Sequence, residues 1–212
     1  MLDSLSEKEF ELFKQLVKKH VGISVGHTKK ATLQRKLAHR LNSLGLESYI
    51  EYYHYLLQDK EGGLELRKFI NTITVDQSYF FRHPKQFELL ANVVLPHLAA
   101  RNKTTKKLRI WSAGCATGQE AYSIAMIVNE MFEVDQDWDI RILASDVDTD
   151  ALKIAYRGLY PEQCTQQVPI EYFNKYFTKG TGENSGFFLV RKDLKKKCCF
   201  AGSTLSILTF HS

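Results

Sequence analysis

The order of apolar and polar residues predicts an α/β protein, with an all-helical N-terminal domain followed by a domain built on a parallel sheet. Two patterns predict this class. Apolar residues recur at helical spacing through the first 74 residues, whereas strand and helix patterns alternate from Leu108 onward. We expect a helical domain over residues 1–74, a linker segment and helix over 75–107, and an incomplete sheet domain over 108–212.

The helical domain is predicted to begin with a capping box, in which Ser6 and Glu9 satisfy the first free backbone amides of a helix. Apolar residues then recur at helical spacing in four segments, which glycines separate. The separating glycines are Gly22, Gly45 and the pair Gly62–Gly63. The first 74 residues therefore predict a small helical bundle.

The segment from Thr74 to His83 has no clean period and holds Arg82 beside three aromatic residues. We interpret Phe80 and Phe81 as residues that fill a groove between the two domains. The guanidinium of Arg82 can instead bind a carboxylate with two parallel hydrogen bonds. A helix is predicted to begin at Pro84, because the first turn of a helix tolerates the missing amide hydrogen.

Strand and helix patterns alternate in the sheet domain. Alternation of this kind predicts parallel strands joined by right-handed crossovers. The predicted elements are strand 108–112, helix 118–131, strand 140–145, helix 149–156, a short strand at 186–190 and a third sheet strand at 197–200. In the first of these helices Ile124, Ile127, Val128 and Met131 are expected to face inward.

Composition sets outer limits on the class of protein. Hydrophobic residues make up 44% of the 212 residues, which is enough for a sizeable core. No apolar run of about 18 residues and no signal sequence is present, so we expect a cytoplasmic protein. The four cysteines form no CxxC pair, which disfavours a metal site and a disulfide framework.

A glycine turn follows the first predicted strand, with Gly114 and Gly118 at its ends. Open α/β sheets bind ligands at the carboxyl ends of their strands, although a turn without a ligand has the same pattern. Asp146 ends the second strand, where an acid can accept hydrogen bonds from a ribose diol. The alternative is a helix N-cap, but Asp148 and Thr149 are better placed for that, which leaves Asp146 without a structural role.

Glu120 lies in the first turn of the helix after the glycine turn. It either stabilises the helix dipole at the surface or contacts a cationic group of a ligand. The chain lacks the Gly-x-x-x-x-Gly-Lys-[Ser/Thr] loop of nucleoside triphosphate hydrolases. A ligand with a ribose but no required phosphate, such as S-adenosylmethionine, therefore fits better than NAD or ATP.

The second predicted helix is basic, with Lys29, Lys36 and Arg40 on one flank. No acidic residue occurs between Lys29 and Asn42. Such a flank is either a solvated face or a docking surface for an acidic protein partner. A nucleic-acid partner is not expected, because the helix carries no interleaved aromatic platform.

In four segments the chain resembles the bacterial chemotaxis receptor methyltransferases of the CheR type. These enzymes use S-adenosylmethionine to methylate glutamate side chains. The resemblance implies a partial Rossmann-like methyltransferase domain behind a helical domain whose basic helix engages the receptor. The similar segments are Gly22–Ile23 with the basic helix to Leu46, Asp76–Arg82, Ile110–Ser123, and Ala144–Thr149 followed by Gly158–Tyr160.

The resemblance also implies roles for individual residues. Asp76 and Ser78, where the family more often has Asn and Thr, would line the cofactor pocket together with Arg82. Arg82, our candidate catalytic residue, would bind the methionine carboxylate. Glu120 would bind the amino group of the cofactor, and Asp146 would bind its ribose.

The end of the chain departs from the family pattern. Residues 200–205 replace an expected Phe-x-x-His-Asn-Leu step, and residues 202–212 look like a truncated or altered tail. The first strand would then have a bare edge, so we expect a partner or a missing segment to cover it. Two functions follow: a protein-glutamate O-methyltransferase, or a non-catalytic module that senses the cofactor or docks on the receptor.

Overall fold

The computed structural model describes residues 3–58, 63–74, 78–133, 135 and 137–202. These residues divide between two compact units, one within residues 1–75 and the other within residues 76–202. The first unit is helical throughout its described part. Its α-helices are α1 (Glu7–Val21), α2 (Lys30–Leu44), α3 (Tyr49–Gln58) and α4 (Leu64–Thr74), with a 3₁₀ turn at His27–Lys29.

The first helix has the capping box that the sequence predicts. The Ser6 hydroxyl accepts from the Glu9 amide at 3.3 Å, and the Glu9 carboxylate accepts from the Ser6 amide at 2.9 Å. Gly22 ends the helix with a φ of 72°, a left-handed conformation that favours glycine. The helices pack around fully buried aromatic rings, among which Phe13 contacts Tyr52 and Phe69.

The second unit begins with a long helical run and continues with alternating strands and helices. The run comprises α5 (Pro84–Leu89), a π-helical turn (Leu90–Val94) and α6 (Leu95–Arg101). The next elements are β1 (Lys107–Ala113), α7 (Gln119–Met131), β2 (Asp139–Asp146) and α8 (Thr149–Arg157). The last are β3 (Leu159–Pro161), α9 (Ile170–Tyr176), β4 (Phe177–Lys179), β5 (Phe187–Val190), α10 (Lys192–Lys195) and β6 (Cys198–Gly202).

The predicted parallel sheet is present, with strand order β1-β2-β6. Leu108 pairs with Ile140 in the register of β1 and β2, and Ile142 pairs with Cys198 in the register of β2 and β6. Helices α7 and α8 cover the same face, since the Tyr122 hydroxyl of α7 donates to the carbonyl of Ala155 in α8 at 2.7 Å.

The opposite face of this sheet is open. Trp111 of β1 is 38% exposed and Leu143 of β2 is 41% exposed, whereas Ile142 and Ala144 on the covered face are fully buried. Within the described residues, β1 pairs with β2 alone.

A second sheet, antiparallel and of order β3-β5-β4, was not predicted as a separate unit. It packs with the two phenylalanines that precede Arg82. Phe80 contacts the ring of Phe177 at 5.3 Å, and Phe81 stacks on Tyr172 at 5.5 Å. The prediction that these phenylalanines fill a groove between domains is therefore wrong, because their partners are rings of the second unit's own core.

Two further observations concern the helices. Met131, which the pattern predicts to face inward, lies in the last turn of α7 and is 37% exposed. Among the residues that the structure describes, no helix has the length and the apolar character needed to cross a membrane.

Candidate active site

The turn between β1 and α7 is tied to the end of β2. The amides of Gly114 and Cys115 both donate to the carbonyl of Ser145, at 2.8 and 3.0 Å. Gly114 has a φ of 77°, and no atom lies within 4 Å of the position where a Cβ would stand. The front of this turn is therefore open, as a close approach of ligand to backbone requires.

Gly118 has a different role, at the start of α7. Its φ is 92°, and a Cβ there would lie 2.7 Å from the Cβ of Ala155 in α8. The hydroxyl of Tyr160 holds the residue before Gly118 in place by donating to the carbonyl of Thr117 at 2.6 Å. Glycine at 118 is thus required by backbone conformation and by the packing of α7 against α8.

Asp146 stands at the end of β2 and accepts two hydrogen bonds from backbone amides. One oxygen accepts from Ala116 at 2.7 Å and the other from Asp148 at 2.9 Å. The prediction that Asp146 lacks a structural role is therefore wrong. Each carboxylate oxygen can accept a second hydrogen bond, so Asp146 holds the turn and still has acceptor capacity for a ligand.

Asp148 is the N-cap of α8, as the sequence predicts. Its carboxylate accepts from the amides of Asp150 and Ala151, both at 2.9 Å. Burial raises the pKa of the Asp148 carboxyl above its ordinary value, and these two amides oppose the rise. In the adjacent turn, burial first and the charge of Asp146 second raise the pKa of the Cys115 thiol to about 12, so this thiol is unreactive at neutral pH.

Glu120 lies above the end of β1 and is exposed. The hydroxyl of Ser112, which is buried, donates to Oε1 of Glu120 at 2.6 Å. The other carboxylate oxygen makes no hydrogen bond with the described part of the chain. Glu120 is therefore oriented by one partner and presents its second oxygen to solvent.

Arg82 follows a strained turn that is anchored to α7. Phe81 has a φ of 53°, which is uncommon for a bulky residue. Its amide donates to the buried hydroxyl of Ser123 at 3.0 Å, and that hydroxyl donates to the carbonyl of Gln119 at 2.7 Å. The backbone of Arg82 is thereby held next to the first turns of α7.

The side chain of Arg82 is exposed and makes no hydrogen bond or ion pair within the described residues. Ser78, four residues earlier, is half-buried. Asp76 lies outside the described residues. Sequence reasoning missed Ser123, because a serine inside an apolar helix gives no sign that it caps a distant backbone amide.

Of the candidate receptor-binding residues, Lys36 and Arg40 lie on α2 of the first unit, and Lys29 ends the 3₁₀ turn before it. The Arg40 guanidinium binds both carboxylate oxygens of Glu65, which is 6% exposed, and the Tyr52 hydroxyl donates to the same carboxylate at 3.0 Å. Lys36 contacts the carbonyl of Ile73 at 3.5 Å, whereas Lys29 is exposed at the surface. Sequence reasoning missed Glu65 as the acid that neutralises Arg40, because Glu65 lies on another helix, α4.

Comparison with known proteins identifies the two units. The description "CheR methyltransferase, all-alpha domain" matches residues 8–74, and "CheR methyltransferase, SAM binding domain" matches residues 76–209. The fold is thus that of an S-adenosylmethionine-binding methyltransferase that carries an additional helical domain. The chain belongs to the CheR methyltransferase family.

Relatives named chemotaxis protein methyltransferase are about one third identical to this chain over the matched region. Identity is 31% with the protein of Borreliella burgdorferi and 33% with that of Escherichia coli, each over 93% of this chain. Identity is 34% with methyltransferase 2 of Pseudomonas aeruginosa, over 90% of this chain. The match covers 69%, 66% and 65% of these three relatives, so the chain spans about two thirds of their length.

The family match bears on two of the expectations. It extends to residue 209 and so includes most of the segment from Gly202 that looked unlike the family. It also gives S-adenosylmethionine as the cofactor of the second unit. The site fits that cofactor, because the carboxylates of Glu120 and Asp146 retain acceptor capacity and the turn at Gly114 is open.

Proposed function

We propose that this chain transfers the methyl group of S-adenosylmethionine to glutamate side chains of chemotaxis receptors. The observation that carries the proposal is the pair of carboxylates at the carboxyl end of a parallel sheet, in a chain of the CheR family. The names of the relatives connect this family with chemotaxis. Glutamate as the methylated residue comes from the resemblance of four sequence segments.

In the proposed complex, the ribose, the amino group and the carboxylate of the cofactor each have a partner on the chain. Asp146 accepts hydrogen bonds from the ribose diol, and Glu120 pairs with the positive amino group. Arg82 binds the methionine carboxylate through its fork of donors. Asp76 and Ser78 line the pocket beside Arg82, and the open turn at Gly114, which Gly118 ends, allows the cofactor to approach the backbone.

The chemistry needs alignment more than acid–base catalysis. The bound cofactor supplies an electrophilic methyl group on a positively charged sulfur. The substrate carboxylate forms the new O–C bond while the S–C bond breaks and its electron pair returns to sulfur, so no proton moves. Residues such as Arg82 act by fixing the position of the reactants, an effect that supplies a large part of the barrier reduction in well-oriented reactions.

We propose that residues 1–74 form the docking domain, that 75–107 lead into and line the cofactor site, and that 108–212 form the catalytic domain. Lys29, Lys36 and Arg40 would engage acidic groups of the receptor. Replacing Lys29 and Lys36 with Gln should weaken binding of a receptor cytoplasmic fragment several-fold and reduce its salt dependence. The matched control replaces Lys18 and Lys19, two exposed lysines of α1, with Gln.

Methyl transfer can be tested with the purified chain, labelled S-adenosylmethionine and a receptor cytoplasmic fragment. We expect base-labile methyl esters, which should disappear when the receptor glutamates are replaced with glutamine. Arg82→Ala should lower the rate at least about tenfold, whereas Arg101→Ala, an exposed arginine at the end of α6, should leave it unchanged. No incorporation, with a full-length relative active in parallel, would exclude catalysis by this chain.

A second candidate function is a non-catalytic module that senses the cofactor or docks on the receptor. The observation in its favour is the outer edge of β1, which has no partner strand within the described residues. Calorimetry with S-adenosylhomocysteine separates the two candidates. Binding of this product without methyl transfer supports the module, and binding together with transfer supports the enzyme.

We also propose that a partner or a further segment covers the outer edge of β1 and the open face beside Trp111. Parallel sheets are ordinarily buried on both faces, and an uncovered apolar edge promotes association. The chain alone should therefore unfold at low denaturant or self-associate. A monomer that unfolds in one sharp cooperative transition in dilute solution would contradict this proposal.

A further inference from the structure

A cleft of about 950 Å³ lies at the amino ends of β2 and β6, within the second unit. Its walls are the last turn of α7, the start of β2, strands β4 and β5, and α10. The cofactor site is at the other end of the same strands. Ile140 lines the cleft, and Asp146 is six residues further along β2, so about 20 Å of extended strand separates the two places.

The acidic side chains of this cleft all have cationic partners. Glu133 pairs with Lys175 at 2.7 Å, and Asp135 pairs with Lys106 at 3.0 Å. Asp193 lies 3.8 Å from the Arg191 guanidinium, which also donates to the carbonyl of Lys175. Lys175 also pairs with Glu130 and Lys106 also pairs with Asp137, so each of these two lysines is shared between two acids.

Three lysines of the cleft have no acidic partner within the described residues: Lys192, Lys196 and Lys197. Lys192 and Lys196 are exposed, and Lys197 is half-buried. They follow one another closely around α10, so their ammonium groups share one wall of the cleft. The lining as a whole has four cationic and three acidic side chains, and these three lysines concentrate its positive charge on one wall.

The floor of the cleft is apolar. Ile140 and Val190 are buried, and the half-buried ring of Trp138 packs on Phe132 with a centroid distance of 4.5 Å. Leu189 is 37% exposed beside them. A cleft of this size with an apolar floor and a few convergent polar groups is typical of sites for small molecules.

The type of cation indicates the type of anion. A carboxylate is best matched by a free guanidinium fork, but Arg191 is committed to Asp193 and to a carbonyl. Lysine ammonium groups act as point charges, which suit a multiply charged tetrahedral phosphate. We infer that this cleft binds a nucleotide, with its phosphates on Lys192, Lys196 and Lys197 and its flat base on the apolar floor.

The test is calorimetric titration of the full chain with ADP as the probe, at saturating S-adenosylhomocysteine. The saturating ligand excludes adenine binding at the cofactor site. We expect one ADP per chain, weaker binding of inorganic pyrophosphate, and no detectable binding of adenosine. Loss of the ADP signal when S-adenosylhomocysteine is present would overturn the inference.

The variant for this test replaces Lys192, Lys196 and Lys197 with Gln, and it should weaken ADP at least about tenfold. The matched control replaces three exposed lysines of the same unit outside the cleft, Lys85, Lys103 and Lys153, and should change affinity less than twofold. Equal weakening by both triple variants would overturn the inference, since it would show unspecific charge attraction. Tighter binding of a pentaglutamate peptide than of ADP would also overturn it.

Discussion

The carboxyl end and the amino end of the sheet β1-β2-β6 carry opposite charges, although the same strands build both. At the carboxyl end, Asp146 and Asp148 are each held by two backbone amides, and Glu120 by a buried hydroxyl. At the amino end, lysines follow one another on α10 without such partners in the described residues. The acidic end is therefore preorganised by the backbone, and the basic end is adaptable.

This difference matches the two kinds of ligand that we propose. A cofactor with a positively charged sulfur and amino group requires fixed negative groups, and catalysis gains from their preorganisation. A cleft that only binds an anion gains less from rigid positions. Substitutions at the carboxyl end that leave a backbone amide without its acceptor should therefore change both stability and binding, whereas those at the amino end should change binding alone.

The largest expected effect is that of Gly118→Ala. The new Cβ would collide with Ala155 at a positive φ, so the free energy of unfolding should fall by about 2–4 kcal/mol. The control is Gly114→Ala, which has a similar φ but open space, and should cost about 1–2 kcal/mol. Denaturant unfolding measures both, and equal losses would contradict the packing role of Gly118.

Asp146→Ala should be next in size. It removes the proposed ribose acceptor and leaves the amides of Ala116 and Asp148 without their partner. Affinity for S-adenosylhomocysteine should fall about 10- to 100-fold. Asp150→Ala, in the first turn of α8, is the control.

The same variant also separates the two ends of the sheet. ADP binding at the amino end should change less than twofold in Asp146→Ala, because the sites are too far apart to couple through direct contacts. A large loss of ADP affinity in this variant would show that the ends are not independent.

Glu120→Gln should have a smaller effect. The amide oxygen can still accept from Ser112, so the fold is kept while the negative charge is lost. We expect an affinity loss for S-adenosylhomocysteine of about three- to tenfold, with no change in thermal stability. A loss of stability without a loss of affinity would assign Glu120 to the fold alone.

Asp148→Asn should give the smallest effect, and one that depends on pH. Burial raises the pKa of this carboxyl, so the folded protein favours its neutral form. The resulting contribution to stability is present below pH 3.8, the ordinary pKa of the group, and is lost as pH rises through the raised pKa. Asn is an equally good cap, so the variant should be slightly more stable at pH 7, by less than about 1 kcal/mol. Unfolding measured from pH 3 to 7 should show this advantage vanishing on acidification, and a constant difference would contradict it.

The order of the elements around the cofactor site could be predicted from the sequence. The buried run at Leu108–Ser112 and the helical spacing after Gly118 are local patterns, and β1 and α7 lie there. The cap at Asp148 was predictable for the same reason, because an N-cap acts within three residues of its own position.

Contacts between distant segments could not be predicted in this way. Asp146 holds an amide 30 residues earlier, and Arg40 is neutralised by Glu65 on a different helix. The sheet β3-β5-β4 was missed because its strands have three or four residues, too few to establish a period. The basic cleft likewise depends on long-range pairs, because Glu133 and Asp135 find their cationic partners in Lys175 and Lys106.

The chain has two tryptophans, and each marks one end of the sheet. Trp111 donates from its indole to Ser145, the residue before Asp146, at 2.9 Å, whereas Trp138 lies at the amino end against Phe132. Replacing either one with Phe leaves a single tryptophan in a known place, which can be excited selectively over the tyrosines. Emission from Trp111 then reports events at the acidic end, and emission from Trp138 reports events at the basic end. The rate of ligand binding at each end can thus be followed separately by fluorescence.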